Sequence, residues 1–530
     1  MRIKSFRIQN YRSIREIKLN FPDSGIMILA GENASGKSNI VRALYNIFGK
    51  NWWGKNLEIT EYHNFNPKNK IKISIKFDNG YSVEFDDKGH WPRYIDDKGK
   101  EIFASKSLIK DDYPAVMLEA ERDFHQFFSF RRWSTFGKIG TILDKEILQS
   151  DTAEKLRGKI REIAEIIGEN KLMSEFESYM QEISSDLGLN KLSFSLLSSL
   201  RPLSGLSVGA KIEKGFFADF DTLSSSEKSL IAISVLISYA RIFLNSDSGL
   251  IILENPEIYL TPTQQENLYK FLQSFVTNTG YQIIITTSSA HLIAMAEMEE
   301  MVRVYKKGNQ TYVKQLNYND IIQQNQPIST KDLQQTLKYS INPQLTAAIL
   351  ASKVILAQNN LIQQLISTIF KVNSFPLSDQ NIAVVNAGGK RQAILWTKIL
   401  AGFGQQVICV VENYANRNNR DNDFITQFFK TSAYGIENFE ENYKEIELQK
   451  NIIMLVINPD INTMLINEFS KFIKQRNLPL DTEKLKASFS GLGLDQDLFW
   501  IYAAEKTIEQ DRDFLRDFFL VLHKRLRQFT

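Results

Sequence analysis

One stretch of the sequence decides the fold: Gly31-Glu32-Asn33-Ala34-Ser35-Gly36-Lys37-Ser38. An apolar, strand-like run over residues 25–30 precedes it, and an amphipathic, helix-like segment follows from residue 39 to about 48. This order is typical of a phosphate-binding loop (P-loop), because backbone N–H groups of the turn and of the helix N-terminus point at phosphate oxygens. In such loops the lysine reaches the β- and γ-phosphates and the serine hydroxyl ligates magnesium. The sequence therefore predicts an ATP and Mg²⁺ site whose contacts are Gly31, Asn33, Gly36, Lys37 and Ser38, with Ser38 as a metal ligand.

The bulk properties describe a protein of several domains. Its 530 residues are too many for one hydrophobic core. The net charge of +3 indicates no strong global attraction to nucleic acid, and the lone cysteine, Cys409, excludes a disulfide framework. No apolar run reaches the about 18 residues of a membrane helix, and residues 1–8 resemble a strand rather than a signal peptide. We therefore expect a soluble, cytoplasmic protein without a membrane partner.

Hydrophobic periodicity predicts an α/β architecture for the first part of the chain. Alternating patterns predict two strands within residues 1–21 and a hairpin over 71–87 that turns at Asp78-Asn79-Gly80. The remaining elements are expected to be a strand at 113–121, a helical insertion at about 141–200, a helix at 223–245, strands at 249–253 and 282–287, and a helix at 263–275. This alternation indicates a parallel sheet with crossover helices.

A second α/β part is predicted after an Asn- and Gln-rich link at 315–337. Its expected strands are 353–357, 382–386 and 407–411, with helices between them. We accordingly predict a P-loop domain over residues 1–335 and a second domain over 338–530 that ends in helices.

Four later segments in the first part carry a family resemblance. They are Leu223-Ser-Ser-Ser-Glu-Lys-Ser229, Glu254-Asn255-Pro256-Glu257, Leu260-Thr261-Pro262 and Thr286-Thr287-Ser288-Ser289. With the opening Ile8-Gln-Asn-Tyr-Arg-Ser13, they resemble the ABC-type ATPase heads of the SMC-like and OLD (overcoming lysogenization defect) families over about residues 1–310. The resemblance implies that two heads dimerise and hold each nucleotide between the P-loop of one subunit and a signature loop of the other. Here Ser224 and Ser225 would supply the signature contacts.

The chain departs from this family pattern at four positions. A signature glycine, a glutamate that polarises the attacking water and two histidines are replaced by Ser226, Asn255, Thr261 and Ser288. Glu254 fits the acid that binds magnesium, so Glu254 and Asn255 are the candidate catalytic pair. An amide cannot accept a proton, and general-base assistance is worth about 10²–10⁴-fold. We therefore expect ATP to be bound and to be hydrolysed slowly or not at all.

Several residues of the first part keep two interpretations. Ser224 fits either the signature contact or an ordinary helix N-cap. Arg12 and Arg122 fit either a phosphate contact or a structural ion pair. Glu257 lies beyond the base position, and His291 is interpreted as a surface or capping residue. The segment Glu61-Tyr62-His63 is a weak candidate for the family's Q-loop.

The second part resembles the TOPRIM domain of OLD-family nucleases, a group that includes the nuclease subunit of the Gabija antiphage system. The resemblance covers about residues 338–430 and includes Asn386-Ala-Gly-Gly-Lys390. TOPRIM nucleases gather carboxylates at strand ends, since divalent metals prefer anionic oxygen ligands. Here Gln358-Asn359 replaces Glu-Gly, the acid expected four residues later falls near Ile362, where the chain has none, and Asp-x-Asp becomes Glu412-Asn413-Tyr414. Glu412 is the candidate catalytic residue that keeps its charge, and cleavage through the usual site is not expected.

Other polar residues of the second part have functional and structural interpretations. Asp421, Asp423 and Asp460 are either substitute metal ligands or solvated loop acids. The Gly388-Gly389 pair with Lys390 and Arg391 either binds a nucleic-acid phosphate or forms a tight turn. The amphipathic segment 512–527 either docks on the domain or touches nucleic acid.

The favoured hypothesis is an ABC/SMC-like P-loop ATPase head joined to an inactive TOPRIM-like domain. Such a protein would act as a homo-oligomer, at least a dimer, or with an active relative, and would respond to ATP or DNA in DNA defence or repair. The alternative is an active, ATP-regulated, metal-dependent DNA endonuclease with unusual ligands. A transporter ATPase is disfavoured by the second α/β part, and an unrelated P-loop protein stays open.

Overall fold

The structure, a computed structural model, describes most of the chain outside the predicted helical insertion. The described residues are 1–49, 57–87, 92–102, 111–124, 134–149, 155, 158–159, 162, 209–211, 217–219, 223–244, 246–316, 343–412, 443–449, 452–457, 460–475, 496–511 and 514–528. They form two compact units, one of residues 1–115 and 248–530 and the other of residues 116–247. The predicted domain boundary and most of the predicted insertion lie outside the described ranges.

The strands, numbered in chain order, are β1 (Ile3–Tyr11), β2 (Ile14–Asn20), β3 (Ile26–Ala30), β4 (Lys72–Phe77), β5 (Ser82–Asp86), β6 (Arg93–Ile95), β7 (Glu101–Ile102), β8 (Ala115–Leu118), β9 (Gly209–Lys211), β10 (Phe217–Asp219), β11 (Ser248–Glu254), β12 (Gly280–Thr287), β13 (Met301–Lys307), β14 (Gln310–Gln315), β15 (Lys353–Ala357), β16 (Ile382–Asn386), β17 (Gln406–Glu412), β18 (Tyr443–Gln449) and β19 (Ile452–Ile457).

The α-helices, also in chain order, are α1 (Lys37–Phe48), α2 (Thr135–Gln149), α3 (Ser225–Phe243), α4 (Pro262–Thr277), α5 (Ala290–Met295), α6 (Pro343–Leu350), α7 (Asn360–Val372), α8 (Lys390–Gly402), α9 (Ile461–Gln475), α10 (Gln496–Gln510) and α11 (Arg516–Gln528). Short 3₁₀ turns lie at Ile59–Glu61, His63–Phe65, Met298–Glu300 and Ser378–Gln380.

The N-terminal strands form an antiparallel sheet in the order β2-β1-β4-β5-β6-β7. Alternation places Phe6 and Ile8 on its buried face beside Ile73 and Ile75, and Arg7 on the opposite face. The predicted hairpin over 71–87 is confirmed as β4 and β5. One face of this sheet is therefore core and the other carries charged side chains.

The P-loop strand lies inside a second sheet, in which β13, β3, β12 and β11 follow one another in parallel. Every residue of β3 and β11 is buried, which explains why these strands are continuous apolar runs rather than alternating ones. Because the strands are parallel, Ala30, Glu254 and Thr287 end at the same edge. The predicted α/β class with a P-loop is thereby confirmed.

The second α/β part is built on a five-stranded sheet in the order β16-β15-β17-β19-β18, with β18 antiparallel at the edge. Its core includes Phe518, Leu522 and Leu526 from α11. Lys353 Nζ donates to the Leu526 carbonyl at 2.8 Å near the end of that helix. The C-terminal helix thus docks on this part by its apolar face, which is the structural alternative stated for it above.

A buried arginine joins this second part to the P-loop sheet. The Arg303 guanidinium on β13 donates to the carbonyls of Ile349 (2.9 Å), Phe403 (3.0 Å) and Ala351 (2.7 Å). Its own backbone pairs with Ala30, the residue before the P-loop. In the described part of the chain, no helix combines the length and apolarity needed to span a bilayer.

Candidate functional site

The P-loop requires glycine at two positions, at Gly36 for its backbone angle and at Gly31 for space. Gly36 has φ 106°, and a Cβ there would lie 2.1 Å from Thr311 Oγ1. A Cβ on Gly31 would lie 2.2 Å from the Val304 carbonyl oxygen. Side chains at either position would displace the strands behind the loop. Asn33 and Ser38, two of the predicted contacts, are exposed and so accessible to a ligand.

Lys37 is buried and folds back over the loop. Its Nζ donates to the carbonyl oxygens of Gly31 at 2.6 Å and Glu32 at 2.7 Å. Burial lowers the pKa of Lys37 to about 8, while the nearby carboxylates of Glu257, Glu32 and Glu254, in that order, act to raise it. A phosphate group would replace the two carbonyls as a stronger, charged acceptor.

Carboxylates converge on this lysine from the end of β11. Glu254 is 2% exposed, and no described residue donates a hydrogen bond to its Oε1. Asn255 follows with φ 44°, and its backbone N–H donates to the Thr286 carbonyl at 2.8 Å. The chain then turns so that Glu257 Oε1 accepts from Thr287 Oγ1 at 2.8 Å. Glu257 Oε2 is buried and likewise lacks a donor among the described residues.

Two other positions that depart from the family pattern, Thr261 and Ser288, make local structural contacts, and the nearby His291 is exposed. Thr261 is the N-cap of α4 in a capping box with Gln264. The backbone N–H of Ser288 donates to Glu257 Oε1 at 3.2 Å. His291 lies exposed on the short helix α5, as the surface interpretation expected.

A network that the sequence analysis missed holds the loop from behind. Thr311 Oγ1 on β14 donates to the Ser35 carbonyl at 2.9 Å and lies 2.7 Å from Ser13 Oγ. Asn39 Nδ2 donates to the same Ser13 hydroxyl at 2.7 Å, and Arg12 Nη1 lies 3.5 Å from Asn39 Oδ1. Arg12 therefore contacts the P-loop helix through an amide. A turn at Gly308-Asn309 between two alternating runs was the signal for this β13–β14 hairpin.

The Q-loop candidate, Glu61-Tyr62-His63, packs against Arg12 in the turn between β1 and β2. His63 is buried and its Nδ1 lies 2.9 Å from the Arg12 carbonyl oxygen. The Arg12 N–H donates to the Glu61 carbonyl at 2.8 Å. These contacts give the segment a structural role beside the P-loop helix.

The signature serines belong to the other compact unit, residues 116–247. Ser224 is the N-cap of α3, where its Oγ accepts from the Glu227 N–H at 3.3 Å in a capping box. Ser225 begins the helix and is exposed. In the same unit Arg122 donates to the Ser229 hydroxyl. The cap interpretation of Ser224 thus holds within the subunit, and a contact across a dimer stays a prediction.

At the second sheet, neighbouring strand ends bring Glu412 and Gln358 together. Gln358 Nε2 donates to Glu412 Oε2 at 2.9 Å, and Asn359 Nδ2 lies 3.3 Å from the same oxygen. The Ile461 N–H donates to Glu412 Oε1 at 2.9 Å. Both oxygens of this buried carboxylate therefore accept from protein donors, an arrangement that stabilises the charge without a cation.

Some of the remaining candidates of the second part lie in the described residues, and others lie outside them. Asp460 caps α9, with Oδ1 accepting from the Thr463 N–H at 2.8 Å. Gly388 (φ 80°) and Gly389 (φ 147°) form the turn before α8, which supports the turn interpretation, with Lys390 as the first residue of that helix. Asp421, Asp423, Asn413 and Tyr414 lie outside the described residues. Within the described ranges, no cluster of three or more His, Cys, Asp or Glu side chains is arranged to hold a metal.

One family model and three known proteins show similarity to this chain. The family model described as AAA ATPase domain matches residues 1–134 and 134–293. The OLD nuclease of Thermus scotoductus is 20% identical over 336 residues, which are 58% of this chain and 62% of that protein. The Old nuclease of Escherichia phage P2 is 23% identical over 156 residues, 29% of this chain and 26% of the phage protein. An Smc head domain from Pyrococcus furiosus, solved with the C-terminal domain of ScpA, aligns over 60% of this chain and 97% of its own at 14% identity and a TM-score of 0.36.

The chain therefore spans less than two thirds of the length of either OLD nuclease. The predicted resemblance to the OLD family is confirmed by these relatives, while the TOPRIM and Gabija resemblances stay predictions. Since the family model covers more than half of the 530 residues, the chain belongs to the AAA ATPase domain family.

Proposed function

We propose that this chain binds ATP with Mg²⁺ at the P-loop and hydrolyses it slowly or not at all. The observation that carries the proposal is the pair of buried carboxylate oxygens, Glu254 Oε1 and Glu257 Oε2, that lack a donor among the described residues beside the buried Lys37. A buried carboxylate without a partner is costly. A hydrated cation with a triphosphate would supply the missing partners, so these residues fit the ligand.

Different residues of the chain would contact the phosphates and the cation. Gly31, Asn33, Gly36 and Lys37 would contact the phosphates. Ser38 and Glu254 would hold the cation, which neutralises phosphate charge when it is bound. In a dimer, the signature serines of a second subunit would complete the site. Slow turnover is proposed because Asn255 at the base position cannot accept a proton.

We further infer that the second α/β part does not cleave nucleic acid through the usual TOPRIM site. Glu412 is the one carboxylate retained from the family pattern, and both of its oxygens already accept hydrogen bonds from Gln358 and Ile461. A metal would have to displace these donors and find its remaining ligands among amides. The domain then serves as a scaffold rather than as a nuclease.

The role we propose is that of a nucleotide- or DNA-responsive subunit in DNA defence or repair. It would act as a homodimer or larger homo-oligomer, or together with an active relative. ATP binding would shift the assembly if the two states differ in affinity for it, with no need for rapid hydrolysis. Similarity to two proteins named OLD nuclease supports this setting.

Three measurements on the full chain test the proposal. ATP titration should give saturable binding that Lys37→Ala weakens at least tenfold, while the exposed Lys307→Ala variant matches the wild type. Phosphate release should be slow. Plasmid nicking should be absent with Mg²⁺ and with Mn²⁺. Nicking that Glu412→Ala abolishes would instead establish the nuclease alternative, and equal ATP affinity of Lys37→Ala and wild type would refute the nucleotide site.

A further inference from the structure

The turn after β11 holds a carboxylate, Glu257, two residues beyond the family's base position, and hydrogen bonds from the end of β12 fix it there. Asn255, which does occupy the base position, turns its Nδ2 toward Glu257 Oε1 at 3.3 Å. We propose that Glu257 is the proton acceptor for the residual ATP hydrolysis, a role two residues beyond its usual place. This inference rests on the proposed ATP site.

The geometry orients Glu257 as an acceptor. Its Oε1 is held by Thr287 Oγ1 at 2.8 Å and by the Ser288 N–H at 3.2 Å. Its Oε2 is buried and receives no hydrogen bond from the described residues. Hydrogen bonds therefore fix one oxygen, and the other accepts no hydrogen bond from the described residues. A fixed carboxylate with a bare oxygen is ready to receive a proton from a water.

Asn255 cannot take this role but supports it. Its φ of 44° places the side chain near Thr286, whose Oγ1 lies 3.4 Å from Asn255 Oδ1. The amide thus bridges the end of β12 and the Glu257 carboxylate. Glutamate at this position would bring two carboxylates together, which would repel each other.

The reaction balances without a further reagent. Water oxygen forms a bond to the γ-phosphorus as one of its protons passes to Glu257 Oε2. The bond between the γ-phosphorus and the β,γ-bridging oxygen breaks, and its electron pair stays with ADP. Glu257 then returns the proton to the released phosphate or to solvent.

The test compares phosphate release with ATP affinity and melting temperature in the full chain. Glu257→Gln keeps the size and one acceptor oxygen, so we expect phosphate release to fall by about 10²-fold while ATP affinity and melting temperature stay near wild type. Glu266→Gln, an exposed change on the neighbouring helix that removes an ion pair with Lys270, is the matched control and should match wild type in all three.

Two outcomes of this comparison overturn the inference, and a second pair of variants supplies a further test. One is a Glu257→Gln variant that releases phosphate at the wild-type rate. The other is a wild type no faster than Lys37→Ala, although it binds ATP, in which case the proposed function stands and this inference fails. If Glu257→Gln lowers stability or ATP affinity, the rates of phosphate release of Glu257→Asp and Glu257→Asn are compared instead. These two side chains have the same size, and only aspartate can accept the proton. Asp at least tenfold faster than Asn supports the inference, and equal rates refute it.

A second, independent observation concerns the charged face of the antiparallel sheet. Arg7 on β1 lies directly opposite Lys18 on β2. On its other side Arg7 pairs with Ser74 of β4, and Lys72 and Lys76 flank Ser74 on the same face. A groove of about 410 Å³ runs between these side chains. Like charges directly opposite each other destabilise a sheet, so this cluster has a cost that a bound anion would relieve.

The acids of this face pair with its two arginines and leave its three lysines without an ion pair in the described chain. Glu16 pairs with Arg7, while Glu84 and Asp86 both pair with Arg93 at the far end of the groove. Asp86 also lies opposite Lys72 in the register of β4 and β5 but forms no ion pair with it. In the described ranges, Lys18, Lys72 and Lys76 form no ion pair and are exposed. We propose that this face binds the phosphate backbone of double-stranded DNA, which deepens the DNA response in the proposed function. Contacts of this kind position a duplex without reading its sequence.

Fluorescence anisotropy with a short labelled duplex tests this surface in the full chain. The double change Lys72→Ala and Lys76→Ala should weaken binding about tenfold and reduce the slope of log K against log salt by about 2, because each lost phosphate contact removes about 0.9 from that slope. The control is Lys306→Ala with Lys307→Ala, two exposed lysines on β13.

Unchanged DNA affinity in the double variant overturns the assignment of the face, as does a wild type that does not bind the duplex. Polyglutamate of equal charge that competes as well as DNA would assign the face to acidic protein segments and would also overturn it. ATP titration of the same samples separates these results from a failure of the nucleotide site.

Discussion

Replacing Arg303 by methionine tests whether the second α/β part is fixed to the P-loop sheet by one buried cation. Arg303 is 4% exposed, and its guanidinium donates to carbonyls of Ile349, Ala351 and Phe403 near the ends of two helices. Helix C-termini carry partial negative charge, so a cation there is favourable. Methionine keeps the length of the side chain and removes every donor.

The magnitude follows from these contacts. Hydrogen bonds to a charged group are worth about 1.5–3 kcal/mol each. Ala351 keeps a second donor in Gln405 Nε2 at 3.0 Å, so Ile349 and Phe403 bear most of the loss. Burial lowers the pKa of Arg303 to about 10, which indicates that desolvation offsets about 3 kcal/mol of the gain. Three such bonds less this offset leave about 1.5–6 kcal/mol. Because Ala351 keeps its second donor, we expect Arg303→Met to lose about 2–4 kcal/mol of unfolding free energy, within that range.

Urea unfolding followed by tryptophan fluorescence measures this loss, since Trp396 is fully buried in α8 of the second part. The matched control is Arg15→Met, which removes an exposed arginine from β2 and should change the free energy by less than about 0.5 kcal/mol. If Arg303→Met is as stable as Arg15→Met, the guanidinium and its three hydrogen bonds do not fix the second part to the P-loop sheet.

Three further changes probe the P-loop support, a buried acid and the amide at the second sheet. Thr311→Val removes the hydrogen bond to the loop and should weaken ATP binding by about 1 kcal/mol, seen by titration, with the melting temperature little changed. Burial raises the pKa of Glu300, which accepts a hydrogen bond from Tyr269. The protonated side chain therefore stabilises the fold at low pH, and this contribution is lost as pH rises through the raised pKa. In thermal unfolding, the stability of Glu300→Gln relative to wild type should increase from pH 4 to pH 8, because glutamine does not ionise. Gln358→Glu places a second carboxylate against Glu412 and should lower stability by about 2–4 kcal/mol at pH 7, with recovery at pH 5 or with Mn²⁺; equal stability at both pH values would contradict the contact.

The local part of the fold could be predicted because each element carries its own signal. The P-loop strand is a continuous apolar run, and the hairpin at 71–87 turns at Gly80, whose φ is 86°. Thr261 with Gln264 is a capping-box pattern that sequence alone already contains. Elements with such local marks were found close to their observed bounds.

The hairpin β13–β14 was missed because its importance is not local. Gly308 marks its turn with φ 57°, but the family resemblance ended at about residue 310 and the Asn- and Gln-rich link was placed directly after it. Thr311 acquires its role through Ser35, 276 positions away in the sequence. No periodicity within one segment reports such a contact.

The candidate site was predicted by residue type but not by hydrogen bonding. The sequence located Asn255 and Gln358 as amides in place of acids, and predicted lost chemistry from them. It gave no sign that each amide would donate to a remaining carboxylate, since the Gln358–Glu412 pair spans 54 positions. The Gln358–Glu412 pair depends on the order of parallel strands, which only the folded sheet defines, and the Asn255–Glu257 pair depends on the turn after β11.

The amide–carboxylate pairs Gln358–Glu412 and Asn255–Glu257 differ in how many carboxylate oxygens the protein satisfies, and this difference bears on the proposed role of each site. At the second sheet, Gln358 and the Ile461 N–H occupy both oxygens of Glu412, so the charge is stabilised by the protein itself. At the P-loop, Asn255 and its neighbours occupy one oxygen of Glu257 and leave the other buried without a donor in the described chain. Unfilled acceptors of this kind cost free energy unless a ligand completes them. Under the proposed function, the same replacement of acid by amide would therefore close one site against a metal and would keep the other open for a nucleotide and its water.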